Sequence, residues 1–554
     1  MVKLDTSFET LKDLIGKSIT LKELENTLFN LGMELEETSG DEIKIDITAE
    51  RSDMVSSQGL ARVLRAYFGL KNPDYKIKKS NYEVFVDKSV DEVRPHTCCA
   101  VIKNLDLDEE KLKEIIWVQE KLHETFGRDR KKVAIGIYPM ESIKFPITYK
   151  AENPTSFKFR PLEYPKEMTG KEILTKTSTG KQYAHLLQDH KKYPYFIDAK
   201  KDILSMPPIL NAHETGKITQ NTKDVFLECS GHDFDALSKT LNILCYMLQD
   251  MGGDVYQVSV KYPKKTFVLP NFKKEKRTIK TSFIEKMTGL QISSKECAKL
   301  LEKMMHDVES IQKDSVTFLV PPIRTDIWHD VDIADDIVRG FGVNNIKPEL
   351  PKVATHANVL RENKIKSKMT EILVGLDFTE VFTLLLTSTQ DQYTNMNLDV
   401  KQQNYMKLGH SEEKSINMVR TWLMPETLKA LQSNRNKSLP LKLFEINEVV
   451  QVDKTKDVLS KTQNKLSCLI CDSQSDFTQI KQILENLLNS FAIEFELKTQ
   501  NYEFFIQGRS ASIISNGKEV GFIGELSPEV ISNWSIHYPI AGLELDLDAL
   551  FNIV

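Results

Sequence analysis

Residues 324–342 read RTDIWHDVDIADDIVRGFG, with five aspartates at 326, 330, 332, 335 and 336. On a helix Asp332, Asp335 and Asp336 fall at i, i+3 and i+4, so their carboxylates share one face. Like charges at that spacing repel unless something positive lies between them. Magnesium takes oxygen ligands and is content with a few carboxylates plus water, and Asp326, just ahead of the helix, offers a fourth oxygen. A solvated acidic face offset by Arg324 and Arg339 accounts for the same pattern, so spacing alone leaves both readings open. His329, one imidazole among carboxylates, reads as a surface hydrogen-bond partner rather than a zinc ligand. Glycines 340 and 342 read as cap and turn.

Outward from this helix, a strand at SVTFLVPP (315–322) and a helix opening at Ser293 or Ser294 complete a small module. The proline- and charge-rich run at 262–277 bounds it upstream, and KPELPKVATHAN (347–358) bounds it downstream. Before it, residues 87–270 alternate helices and strands: a helix around 109–127, a basic turn RDRKK (128–132), strands VAIGIY (133–138) and VFLECS (225–230), and a helix from Phe234. That alternation predicts an α/β domain. The first segment closes with SSQGLARVLRAYFG (56–69), an amphipathic helix behind a serine cap and ahead of Gly69. Strand-like YEVFV (82–86) leads on to the next segment. After residue 348, helices at KIKSKMTEILVGLDF and QIKQILENLLNSF mix with strands at LPLKLFEINEVV, ASIISNGKEVGFIGE and IAGLELDL, as an antiparallel sheet with helices does. The whole reads as a multidomain α+β chain divided at 1–86, 87–270, 271–347 and 348–554.

A chain of 554 residues is too long for one core, and 40% hydrophobic with 28% charged residues is globular composition. The net charge of -5 excludes a globally basic surface, so nucleic-acid contacts must come from local patches such as 128–132 or KKEKR (273–277). Such runs also serve as plain solvated faces. Seven scattered cysteines point to a reducing compartment, and Cys468 and Cys471 in LSCLICD read as core. No signal or transit segment and no membrane span is evident, so the cytoplasm is the expected location. Phosphate-loop, zinc-protease and nucleophile-elbow motifs are all missing. Polar residues set in apolar strands, Ser205 and Asn211 in SMPPILN and Glu228 and Ser230 in LECS, are either satisfied locally or aimed into a pocket.

Eight ordered blocks decide the matter: TAERSDMVSSQGLARVLR (48–65), RPHTCCAVIKN (94–104), QEKLHETFGRDRKKVAIGIY (119–138), ILSMPPILN (203–211), VPPIRTDIWHDVDIADDIVRGFGVNNI (320–346), VRTWLMPETLKAL (419–431), PLKLFEINEVV (440–450) and FIQGRSASIISNGKEVGFIGELSPEVISNW (505–534). The chain resembles, along its whole length, the β subunits of phenylalanyl-tRNA synthetases of the archaeal and eukaryotic cytosolic type.

The resemblance implies an (αβ)₂ heterotetramer that joins L-phenylalanine to tRNA(Phe) with ATP at a site in the α subunit. It implies a C-terminal region similar to a class II synthetase core but without that catalysis, where Arg420 and Arg509 read as structural or interfacial. It implies an N-terminal module, and a helix-turn-helix-like module binding Mg2+ through Asp326, Asp332, Asp335 and Asp336. Asp335 is a shorter arm than the glutamate usual there, leaving room for a water. Finally, it implies that residues 87–270 edit mischarged Tyr-tRNA, because an apolar pocket fitted to phenylalanine only weakly rejects an added hydroxyl. Glu228 would accept the tyrosine phenol, with Ser205, Asn211 and Ser230 lining the pocket and a positioned water doing the hydrolysis. Pro139, where an acid is usual, and Ser230, where threonine is usual, depart from the pattern. A structural β chain without editing and a stand-alone nucleic-acid-binding protein are the competing readings.

Overall fold

Strand Ile77–Val86 lies in the middle of a ten-stranded sheet, and this places the start of the second domain. In this computed structural model, which describes residues 2–350, 353–411, 413 and 415–551, the strand pairs in parallel with Asp254–Lys261 on one side and Ile147–Glu152 on the other. Val84 and Val86 are buried in the core of that sheet. The division expected at 86 is therefore corrected: it cuts off a strand that belongs to the following domain.

The chain forms two compact units, residues 1–350 and 351–554. The first unit opens with an antiparallel sheet of Val2–Ser7, Glu42–Ile47 and Glu34–Ser39. Helix Ser57–Tyr67 follows where its periodicity predicts it. The Ser56 hydroxyl accepts from the Gly59 amide at 2.9 Å, and Gly69, at a φ of 75° in the left-handed region that glycine tolerates, leads the chain away.

The ten-stranded sheet runs, edge to edge, Leu210–Asn211, Ile203–Met206, Tyr193–Ile197, Ile147–Glu152, Ile77–Val86, Asp254–Lys261, His96–Lys103, Val225–Gly231 and Val133–Pro139, with Thr266–Leu269 paired onto Asp254–Lys261. Apart from the two parallel pairings of Ile77–Val86, its ladders are antiparallel. The expected α/β domain is thus a mixed, mainly antiparallel one. The alternation of helix and strand misled because the stretches from Tyr193 to Asn211 turn back directly, without a crossover helix. Helix Phe234–Asp250 packs on His96–Lys103 and Val225–Gly231, and Glu109–Glu124 packs on Val133–Pro139. Thr266–Leu269 still belongs to this sheet and Glu275–Lys280 opens the next, so the division read at 262–277 narrows to 270–274.

The third module has an antiparallel sheet ordered Glu275–Lys280, Ser315–Val320, Asp307–Ile311. Helices Thr281–Thr288 and Ser294–Lys303 are joined by a turn at Gly289, and Ser293 caps the second of them. The acidic stretch is helix Asp330–Phe341, and its Ile333 and Ile337 share a core with Ile284, Leu301 and Phe318.

In the second unit a seven-stranded sheet runs Thr379–Glu380, Leu441–Val452, Ser460–Cys471, Ile540–Asp546, Lys518–Leu526, Phe505–Ser515, Glu496–Thr499. It is antiparallel except for its first pair. Helices Arg361–Gly375 and Phe477–Asn489 fill one core, and Met424–Ser433 contributes to another. Cys468 and Cys471 are buried free thiols, as their apolar strand predicts. Arg420 is buried against Glu445 at 3.0 Å, and Arg509 pairs with Glu525 at 2.6 Å. Among the described residues no helix is long and apolar enough to cross a membrane.

Candidate functional site

The two ends of the ten-stranded sheet face each other. Tyr138, on the last strand of the order, has its phenol 2.7 Å from Ser205 Oγ, on the second strand, and 3.1 Å from Glu228 Oε1. Arg130 Nη1 reaches the carbonyl of Ile209 at 2.8 Å. A sheet curled this far encloses a cavity of about 230 Å³, lined by Ser205, Asn211, Glu228, His123 and Arg130 among others. Three of the four expected pocket residues thus meet at one place.

Ser230 does not line that cavity. Its hydroxyl accepts from Arg94 Nε at 3.2 Å, while Arg94 Nη2 donates to the carbonyls of Ser230 and Arg130. The expectation that it lines the pocket is corrected: the residue helps hold a buried arginine that anchors the 128–132 turn.

Glu228 is 2% exposed and its Oε2 has no hydrogen-bond partner. Burial pushes its carboxyl up to about 8, although the Tyr138 phenol, the Arg94 charge and the Ser230 hydroxyl pull the other way. At neutral pH it is therefore largely a neutral acid, able to donate as well as accept. Gly136 stands opposite Glu228 in the ladder. A Cβ there would lie 2.6 Å from Glu228 Oε1 and 2.2 Å from the Tyr138 hydroxyl, so the glycine makes the phenol–carboxyl contact possible.

His123 Nε2 accepts the Ile135 amide at 2.7 Å, which puts the ring proton on Nδ1, 3.6 Å from Glu120. Burial holds this imidazole below its ordinary range. Its basic nitrogen is committed, and the Ser205 hydroxyl meets a phenol rather than a base, so these residues form no nucleophile–base pair. Tyr138, Gly136 and Arg130 were not singled out from sequence. A glycine inside a strand pattern was the available signal for close approach; the RDRKK run read as a solvated face, yet Arg130 packs over the Tyr183 ring and pairs with Glu120 at 2.9 Å.

The acidic helix is organised differently from expectation. Asp336, 2% exposed, accepts from Arg324 Nη2 at 3.0 Å and pairs with its Nη1 at 2.9 Å, and His306 Nε2 lies 2.7 Å away. The other edge of Arg324 closes on Asp326 at 2.8 and 2.7 Å. Asp335 pairs with Arg339 at 2.7 Å, and Asp332 caps its own helix by accepting from the amides of Trp328 (2.6 Å) and His329 (2.7 Å). Burial alone would raise the Asp336 carboxyl, but Arg324 and His306 overcome it and hold it well below the usual carboxylate range.

Among the described residues no three histidine, cysteine, aspartate or glutamate side chains are gathered closely enough to hold a metal ion. Asp326, Asp332, Asp335 and Asp336 do not fit a magnesium cage: Arg324 takes both oxygens of Asp326 and of Asp336, while Asp335 Oδ2 is held by Arg339 and Asp332 Oδ2 by two backbone amides. Helical spacing did put Asp332 and Asp336 on one face, but one turns back to the helix start and the other turns inward. The network also ties the acidic module to the N-terminal one. Arg51, paired with Asp53 at 2.9 Å, lies 4.0 Å from Asp326, and the Thr325 hydroxyl donates to the Glu50 carbonyl.

With this geometry in view, the chain can be set beside known proteins. Family models match residues 1–70 (Phe-tRNA synthetase beta subunit B1 domain), 277–343 (tRNA synthetase B5 domain) and 346–547 (phenylalanyl tRNA synthetase beta chain CLM domain). The phenylalanine–tRNA ligase beta subunit of Thermococcus onnurineus is 34% identical, over 100% of this chain and 99% of that one. The chain belongs to the phenylalanyl-tRNA synthetase beta-subunit family. The Pyrococcus furiosus beta subunit is 33% identical over 100% of both chains, and that of Methanocella arvoryzae 33% over 99% and 100%. An N-terminal fragment of the Pyrococcus horikoshii beta subunit, a crystal structure, superposes with a TM-score of 0.59 at 37% identity, covering 61% of this chain and 99% of that one. In this beta-subunit architecture the acidic helix lies within the B5 span, and the cavity lies between the B1 and B5 spans.

Proposed function

We propose that the chain serves as the β subunit of a phenylalanine–tRNA ligase. It works with an α subunit, in an (αβ)₂ heterotetramer, to make Phe-tRNA(Phe) from L-phenylalanine, ATP and tRNA(Phe), with release of AMP and diphosphate. ATP and L-phenylalanine bind at the α-subunit site; this chain supports assembly, contacts tRNA, and hydrolyses mischarged Tyr-tRNA(Phe) in the cavity of its curled sheet. One observation carries the editing half: the buried Glu228, with an unpartnered oxygen, lines a cavity alongside Ser205 and Asn211. Such an oxygen suits an added para-hydroxyl and is left unpaired by a plain phenyl ring. With no nucleophile–base pair to hand, the chemistry falls to a water positioned beside the ester, and the cavity's task is to orient the acyl group.

Deacylation of Tyr-tRNA(Phe) by the assembled enzyme, wild type against Glu228→Ala, tests this. Hydrolysis by wild type that is lost in the variant supports it, and an inactive wild type removes the editing claim. A second reading, a structural β chain whose editing has decayed, is favoured by Ser230 lying outside the cavity. Mass measurement after co-expression with a candidate α subunit tests the assembly; a monomer that ignores α and binds tRNA alone, with steep salt dependence, would instead indicate a nucleic-acid-binding protein.

A further inference from the structure

Tyr138 touches two of the residues that line the cavity without lining it itself. Its ring is fully buried and stacks on Phe226 at 5.8 Å, so the phenol approaches Glu228 from behind. The two oxygens of Glu228 are thereby made unequal: Oε1 meets the phenol, and Oε2 has no hydrogen-bond partner among the described residues.

Resting on the editing reading above, we infer that Tyr138 is a specificity-determining positioning residue, whose phenol takes Glu228 Oε1 and Ser205 Oγ so that Glu228 offers Oε2 alone to the para-hydroxyl of a bound aryl acyl group. The hydrogens fit this assignment. A phenol carries one hydrogen, and Ser205 at 2.7 Å is the nearer acceptor. The phenol also reaches Glu228 Oε1 at 3.1 Å, which leaves Oε2 as the acceptor, and the Ser205 hydrogen is free to point at a ligand oxygen. A tyrosyl ester satisfies both groups; a phenylalanyl ester leaves both buried and unpaired, worth roughly ten- to a hundredfold in discrimination. Gly136 supports the arrangement independently, because a side chain there would collide with both the phenol and the carboxyl.

Tyr138→Phe keeps the ring on Phe226 and removes the oxygen. In the assembled enzyme, deacylation kinetics for Tyr-tRNA(Phe) and Phe-tRNA(Phe) should show kcat/KM for the tyrosyl ester falling about tenfold or more, mainly through KM, with the phenylalanyl ester little changed. Difference infrared titration, with Glu228→Gln marking the band, should show the Glu228 midpoint moving up, since the phenol lowers it; Arg94, Tyr149 and the Cys99 and Cys229 thiols are neighbouring titratable groups, unaltered in the variant. A purely structural tyrosine would change neither the KM ratio nor the midpoint. An active wild type with an unchanged variant overturns the inference about Tyr138 alone; an inactive wild type overturns the editing reading on which it rests.

Discussion

Arg324 grips Asp336 with two nitrogens, at 3.0 and 2.9 Å, while its remaining edge grips Asp326 at 2.8 and 2.7 Å. One guanidinium thus supplies the positive charge that the crowded acids need. Replacing it with Arg324→Met strands a fully buried carboxylate, for which a loss of about 3–5 kcal/mol is expected. Urea unfolding, with hydrogen exchange followed across residues 330–341, measures it. A loss below about 1 kcal/mol would mean that the pairs contribute little.

Magnesium should leave this module's stability alone. Thermal unfolding in chelator and in millimolar Mg2+ is expected to coincide, and calorimetric titration should find no stoichiometric site that Asp332→Ala plus Asp336→Ala removes. Asp332→Ala by itself forfeits the cap on two amides, about 1 kcal/mol. A saturable isotherm abolished by the double substitution would reverse this reading of the acids.

Two buried acids should bend stability in opposite directions with pH. Asp336 is depressed in the fold, so its contribution is present above the ordinary carboxylate range and lost as pH falls. Glu228 is raised to about 8, so between its ordinary value and that point the unfolded chain releases a proton that the folded chain keeps. Stability therefore declines as pH climbs through that window. Melting curves of Glu228→Gln should match wild type at mildly acidic pH and rise above it toward pH ~8; parallel curves throughout would contradict the raised carboxyl.

Gly136→Ala tests the space between strands. Its Cβ would fall 2.2 Å from the Tyr138 hydroxyl and 2.6 Å from Glu228 Oε1, so one of them must move. Overpacking of this kind costs about 1–3 kcal/mol. Loss of Tyr-tRNA(Phe) deacylation with the chain still assembled is the expected outcome, and undiminished hydrolysis would show that the contact is dispensable.

What could be read from the sequence followed local physics. The Ser56 and Ser293 caps and the Leu60–Val63–Leu64 stripe sit where short-range signals put them, whereas ASIISNGKEVGFIGE, read as one strand stretch, is two strands turning at Asn516 and Gly517. Strand Ile77–Val86 was assigned to the wrong domain because its partners lie at residues 147–152 and 254–261, and pairing at such separation leaves no local mark. The same limit explains the site. Ser205, Asn211 and Glu228 stood out as polar residues in apolar strands, whereas Tyr138 looked like ordinary strand filling until the curl of the sheet brought it to Glu228. The acidic helix failed in the opposite way: its spacing was visible, but Arg324 and His306, which neutralise it, approach from other elements.

The interleaving of the large sheet also fixes when the cavity can exist. Its central strand, Ile77–Val86, is made early in synthesis and has its parallel partner at Asp254–Lys261, with Thr266–Leu269 completing that edge. Between those points only its two halves can form, Leu210–Asn211 through Ile77–Val86 and His96–Lys103 through Val133–Pro139, so a nascent chain that ends before Asp254 carries Ser205 in one half and Tyr138 and Glu228 in the other. Closure by such distant segments is slow relative to local folding. A growing chain therefore holds two half-sheets unjoined until the ribosome delivers Asp254–Lys261.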